Sequence, residues 1–254
     1  MSLLKGLPVE HFRCVLADPP WDFRANSIAK PGRNPRRHYD VMSLDDIAAL
    51  PVKQVAADDC LLWFWITGPF LARGAHLPIF EAWGFEPSGM GFVWIKLNPK
   101  APQLIFMTQD VAWGPGMTTR KNAEFCILGK RGSVPRLSAS VHEVIIAPRR
   151  EHSRKPDEAH ERIEKYCDGP RLELFGRQLR PNWTVVGNQA DKFPPESPTN
   201  GSGEAMIISA PSLEGEKINA PTATAANLGP SSRQLLAKLQ SGMRKLPVPR
   251  ITQS

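Results

Sequence analysis

The stretch C-V-L-A-D-P-P-W-D-F, starting at Cys14, sets a carboxylate, two prolines and an indole side by side at Asp18, Pro19, Pro20 and Trp21. The apolar run before them, Cys14 to Ala17, reads as a short buried strand. Proline has no backbone N–H and a fixed φ, and it pushes the residue before it toward an extended shape. Two prolines therefore predict a stiff turn whose carbonyls meet no competing amide donor. Asp18 adds a carboxylate beside them. The set is all acceptor: the Asp18 oxygens and the Pro19 carbonyl. It suits a ligand that presents N–H donors, such as the exocyclic NH₂ of a purine or pyrimidine, with Trp21 offering its flat face to the ring. The competing reading is a strand-ending turn with a helix-capping aspartate.

The elements that must position this turn alternate along the chain. Strands are predicted over 14–17, 61–67, 91–97, 124–129, 142–147, 171–175 and 183–187. Helices are predicted over 43–57, opened by Ser43 with Asp46 three residues on, over 69–85, stopping at Gly84, and over 155–167 with Pro156 in the first turn. Strands alternating with helices give an α/β fold around a mostly parallel, helix-covered sheet. Sites in such sheets gather at the carboxyl ends of strands, and the D-P-P-W turn directly follows one.

The chain has 254 residues, 41% hydrophobic and 22% charged, with a formal net charge of +7. That balance suits a soluble protein with a polyanionic partner. The four cysteines form no C-x-x-C pair and read as buried reduced thiols in a cytoplasmic protein. No apolar run approaches a membrane span, and no secretory signal is visible. His152, His160 and Cys167 fit no closed zinc site, so no metal is expected. Composition shifts near residue 190. Residues 191–232 read as a flexible linker, and 233–254 as a short basic amphipathic helix and the chain end. A chain ending at Gln189 is therefore expected to keep its fold. Residues 30–38 form a Gly/Pro stretch rich in Lys and Arg, and Arg33, Arg36 and Arg37 are read as phosphate contacts.

The sequence resembles the MT-A70 family of adenine-N6 methyltransferases. The resemblance rests on A-D-P-P-W-D-F together with L-L-W-F-W-I-T (61–67), A-W-G-F-E (82–86), V-W-I-K (93–96), 116–132, E-H-S-R-K-P-D-E (151–158) and R-L-E-L-F-G-R…P-N-W-T-V-V-G-N-Q (171–189). It implies a Rossmann-like methyltransferase fold with the catalytic motif ahead of the cofactor motif, and S-adenosylmethionine as methyl donor. Residue by residue, it implies that Asp18, Pro19, Pro20 and Trp21 hold the target adenine and border the donor. Tyr39 and Glu124 fall at substrate-side positions, and Lys155, Arg177, Asn188 and Gln189 at donor-side positions. Two acceptors on the exocyclic nitrogen would localise its lone pair for in-line attack on the methyl group. The compact layout is similar to bacterial and phage members, and no RNA-binding zinc module is visible.

The resulting expectation is transfer of a methyl group to N6 of adenine in DNA, in the cytoplasm of a bacterial or phage-infected cell. The partner is nucleic acid and not a membrane, with a homodimer or a related subunit as a further option. An RNA adenosine methyltransferase ranks second, and a non-catalytic nucleic-acid-binding subunit third, because D-P-P-W, Lys155 and G-N-Q are intact. The arginine assignment yields a first prediction. Replacing Arg33, Arg36 and Arg37 together by Ala should flatten the slope of log affinity against log salt by about one unit per lost phosphate contact. Titration of the variant with an oligonucleotide at several salt concentrations checks this, and an unchanged slope removes the assignment.

Overall fold

The computed structural model describes residues 3–21, 41–101, 107–114, 119–151 and 154–194, all within a unit spanning Met1–Ser212. Tyr39, Arg33, Arg36 and Arg37 lie outside the described residues, as do His152 and the expected linker and tail from residue 195 on.

Seven strands form one sheet: β1 (Phe12–Ala17), β2 (Ala56–Ile66), β3 (Glu86–Leu97), β4 (Ala123–Arg131), β5 (Val144–Pro148), β6 (Arg171–Leu174) and β7 (Trp183–Val186). Their spatial order is β5-β3-β4-β2-β1-β6-β7. Strand β4 runs antiparallel to both of its neighbours, and the pairs β1–β2, β1–β6, β6–β7 and β3–β5 are parallel. Six strands therefore point one way and β4 alone points back. All seven expected strands are present.

Both faces of the central strands are apolar because both are covered. Alternation sends Val15 and Ala17 of β1 and Leu62, Phe64 and Ile66 of β2 into one layer, and Cys14, Leu16, Leu61, Trp63 and Trp65 into the other. The first layer is closed by α1 (Leu44–Ala48), α2 (Val52–Val55) and α4 (Leu77–Trp83), through Ile47, Val52, Val55, Ile79, Phe80 and Trp83. The second is closed by α5 (Glu158–Tyr166), through Ala159 and Ile163. By the same alternation Asp18, the residue after β1, continues the Cys14 and Leu16 side, which α5 covers.

The helices differ from expectation where the chain carries breakers. Ser43 caps α1 as predicted, accepting the Asp46 N–H at 3.1 Å. The helix then stops, because Pro51 disfavours helical geometry at Leu50 and brings no N–H. Pro51 instead caps α2, and β2 begins at Ala56. The second expected helix splits into α3 (Gly68–Ala72) and α4 at Gly74, which sits at φ +66°. Pro156 precedes α5, whose N-cap is Asp157.

The packed chain also runs past residue 190. Phe193 donates its N–H to the Arg177 carbonyl at 3.1 Å, and buried Gln178 donates Nε2 to the Pro194 carbonyl at 2.8 Å. Arg154 stacks over the Phe193 ring at 4.7 Å. A chain ending at Gln189 strips Gln178 of its acceptor, a loss of roughly 1–3 kcal/mol. Calorimetry should therefore find a chain ending at Pro194 melting several degrees above one ending at Gln189. Equal midpoints would show that residues 190–194 add nothing.

Candidate active site

The turn after β1 is tied down on every side. Asp18 N–H reaches the Leu174 carbonyl at the end of β6 at 3.4 Å, and Pro20 accepts the Met42 N–H at 2.9 Å. Trp21 bridges to Met42 in a parallel sense. Pro19 accepts the Trp21 N–H at 2.9 Å, so its carbonyl is not free of competing amides as the motif suggested. One lone pair remains for a ligand. Trp21 is 4% exposed, stacked on Phe70 with centroids 4.9 Å apart and set edge-on to Phe64. It is therefore an anchor that fixes the turn in the core, and the expected open stacking face is not there.

Asp18 meets Lys155 because two separate constraints converge. Parity of β1 aims Asp18 toward the α5 side. Arg150 grips the chain just before α5, donating to the Lys155 carbonyl at 2.7 Å and pairing with Asp157 at 2.5 Å. Arg180, itself buried, pairs with the other Asp157 oxygen. These bonds set the backbone from which Lys155 reaches Asp18 Oδ2 at 2.5 Å and Glu124 Oε2 at 3.2 Å. Lys96 closes the row by pairing with Glu124 Oε1. Carboxylate and ammonium thus alternate: Asp18, Lys155, Glu124, Lys96. Lys155 grips both carboxylates and also lines a cleft beside Asp18. Among the described residues, Asp18 Oδ1 accepts no hydrogen bond.

The charges are unequal in strength. Burial pushes the Asp18 carboxyl above its ordinary range, and Lys155 only partly offsets this while Glu124 adds like-charge repulsion. Burial would also depress Lys155, but two carboxylates against one ammonium hold it above its usual value. Glu124, buried yet flanked by Lys155 and Lys96, falls to about 2. It is the fixed anion of the row, and Asp18 is the one poised closest to protonation.

An open cleft lies against Asp18, bounded by Lys155, Arg177, Gln178, Arg154 and Phe193. Asn188, exposed, and Gln189, whose amide oxygen accepts Lys192 Nζ at 3.1 Å, sit past the end of β7 and do not line it. Sequence reasoning missed Lys96, Arg154, Gln178 and Phe193. Lys96 had a signal, a lone cation closing an apolar strand. The other three meet only through folding. The glycine of L-F-G-R, Gly176, has a packing role. A Cβ on Gly187 would lie 3.0 Å from the Gly176 backbone N, so these glycines let β6 and β7 close on each other.

A sequence profile of the MT-A70 family matches residues 12–189. The chain belongs to the MT-A70 family. It is 29% identical to a Mycoplasma protein named type II methyltransferase M.MunI, over 77% of this chain and 84% of that one. It is 33% identical to the N(6)-adenosine-methyltransferase MT-A70-like protein of Drosophila melanogaster and 30% to the human N(6)-adenosine-methyltransferase catalytic subunit METTL3, each over 71% of this chain. Those two are covered over only 27% and 28% of their length.

MT-A70 methyltransferases use S-adenosylmethionine. The cleft fits such a donor by its unfilled valences. Among the described residues, Trp65 Nε1, Arg154 Nε and His160 Nδ1 are buried without hydrogen-bond partners, and all three residues line it. A donor bearing a carboxylate, an amine and ribose hydroxyls can satisfy groups of this kind, beside the acidic Asp18 and Glu173.

The Glu124 shift makes a stability prediction. Its folded value lies below the unfolded 4.5, so its contribution is present above about pH 4.5 and is lost as pH falls toward about 2. The depression is worth on the order of 3 kcal/mol at neutral pH. Glu124→Gln should therefore unfold in less urea than the parent at pH 7, and the gap should narrow steadily below pH 4.5. A gap independent of pH would show that Glu124 is not held as an anion by Lys155 and Lys96.

Proposed function

We propose that this protein transfers a methyl group from S-adenosylmethionine to N6 of adenine in DNA. The observation that carries this reading is Asp18: a carboxylate fixed at the end of β1, one oxygen held by Lys155, the other accepting nothing among the described residues. Oδ1 and the remaining Pro19 lone pair are the two acceptors for the two hydrogens of the exocyclic nitrogen. Holding both hydrogens draws the lone pair out of conjugation with the ring and directs it toward the cleft. The bound donor supplies an electrophilic methyl on a positively charged sulfur. The N6–C bond forms as the C–S bond breaks, and the extra proton leaves N6 afterwards. Lys155 keeps Asp18 ionised and aimed, and Glu124 keeps Lys155 in place. Arg154, Arg177 and Gln178 would hold the donor's carboxylate and hydroxyls. Because Asp18 and its neighbours sit at a sheet edge, the adenine has to leave the base stack or arrive unpaired.

DNA is placed ahead of RNA on extent. Similarity to the type II methyltransferase runs through most of both chains, and similarity to the N(6)-adenosine-methyltransferases covers about a quarter of theirs. Purified protein should move a labelled methyl group onto adenine-containing DNA faster than onto RNA of the same sequence. Asp18→Asn should abolish transfer, because its NH₂ presents a donor where an acceptor is needed, and should leave donor binding by calorimetry within a few-fold. RNA preference would replace the substrate, and an active Asp18→Asn would remove the mechanism.

A further inference from the structure

Six of the seven tryptophans, Trp21, Trp63, Trp65, Trp83, Trp94 and Trp183, are at most 4% exposed, and Trp113 is 62% exposed. Core packing does not explain it. Among the described residues its ring contact is Arg120, whose guanidinium lies 4.9 Å from the ring centroid. The cation lies over the ring, and the residue as a whole is largely exposed.

This pair is fastened to the catalytic edge. Asn98 at the end of β3 donates its N–H to Asp110 at 2.8 Å, and its side chain donates to the Gln109 carbonyl at 3.2 Å. Val111 bridges to Leu97, and the Ala112 N–H meets the Lys96 carbonyl at 2.7 Å. Gly114 bridges to Lys121, two residues before β4. Trp113 thus sits between two backbone ties, the inward-facing Ala112 before it and Gly114 after it. One of those ties is to Lys96, the last ammonium of the row that ends at Asp18. A large flat, exposed side chain between two backbone ties, backed by a guanidinium, has the form of a stacking shelf for single-stranded polynucleotide.

We propose that Trp113 and Arg120 bind an unpaired nucleotide flanking the target adenine, the base stacking on the exposed Trp113 ring and a phosphate pairing with Arg120. This rests on the nucleic-acid reading above. It assigns to one side chain pair the task of holding the strand from which the adenine is presented. Stacking tolerates any base, so the shelf adds affinity without sequence preference.

The test is binding of a short adenine-containing single-stranded oligonucleotide, in deoxy and ribo forms, followed by anisotropy. Trp113→Ala should weaken binding roughly five- to hundredfold, and Trp113→Phe should retain most of it. Arg120→Gln should lower the salt slope by about one unit. Oligonucleotide should shield wild-type fluorescence from acrylamide, and that shielding should vanish in Trp113→Phe, because the other six indoles are already buried. S-adenosylmethionine affinity should be unchanged in all three variants, which shows that they are folded. Which form shows the Trp113 effect identifies the strand. Wild-type protein that methylates an oligonucleotide but loses no affinity in Trp113→Ala overturns the shelf alone. Wild-type protein that binds neither oligonucleotide overturns the shelf, and only failure to methylate adenine-containing DNA in any form overturns the proposed function.

Discussion

The structure turns on one half-buried ion pair, Asp18 with Lys155. A carboxylate at the end of an apolar strand, between two covered faces, is costly as an anion unless it is paired and hydrogen-bonded. Asp18 is still pulled toward its protonated form despite its partner, so burial outweighs the pairing there. The second carboxylate resolves the balance from the other side. Glu124 makes Lys155 secure as a cation, and a secure cation keeps Asp18 usable as an acceptor. Losing Lys155 would leave two buried carboxylates facing each other, so the ammonium holds the fold and the site at once.

Topology explains why Glu124 is available. In a wholly parallel sheet every strand would begin at the far edge. Strand β4 runs against its neighbours, so its first residues lie where the others end. Register sets Ala123 opposite Ile95 and Glu124 opposite Trp94, which puts Glu124 within reach of Lys96 and, beyond it, Lys155. The reversed strand delivers the anchoring anion, and the hydrogen-bonded ribbon just before it fastens Trp113 and Arg120 to the same edge.

The strands were legible because each carries a short apolar run bounded by polar or turn residues, and in the central β1 and β2 most of that run is buried on both faces. The helices were legible in place but not in length. Leu50-Pro51 and Gly74 each lie within a periodic apolar pattern, and periodicity alone does not say that a breaker wins there. The carboxylate at Asp18 could be read from its chemistry. Trp21 could not, because exposure is decided by Phe70 and Phe64, which lie far along the chain. The same limit hid Gln178, Arg154 and Phe193. They meet through one hydrogen bond and one ring contact between distant residues, and no local pattern encodes those.

Where the fold leaves polar groups unsatisfied is itself informative. Trp83 donates its indole N–H to Ile47, Trp94 to Ala147 and Trp183 to Glu164, so this sheet can satisfy a buried indole with backbone or side chain alike. Trp65, in the same layer as Trp94 and Trp183, is left without a partner, and so are Arg154 Nε and His160 Nδ1. Three of the seven buried side-chain polar atoms that lack a partner among the described residues therefore gather around the one cleft that adjoins Asp18. Each unsatisfied group costs roughly 1–3 kcal/mol in the empty protein. A ligand that fills those valences recovers that cost on binding, which couples occupancy of the cleft to the rigidity of the wall that holds Lys155. The ion pair and the cleft share one wall: Lys155, which holds Asp18, lines the cleft together with it.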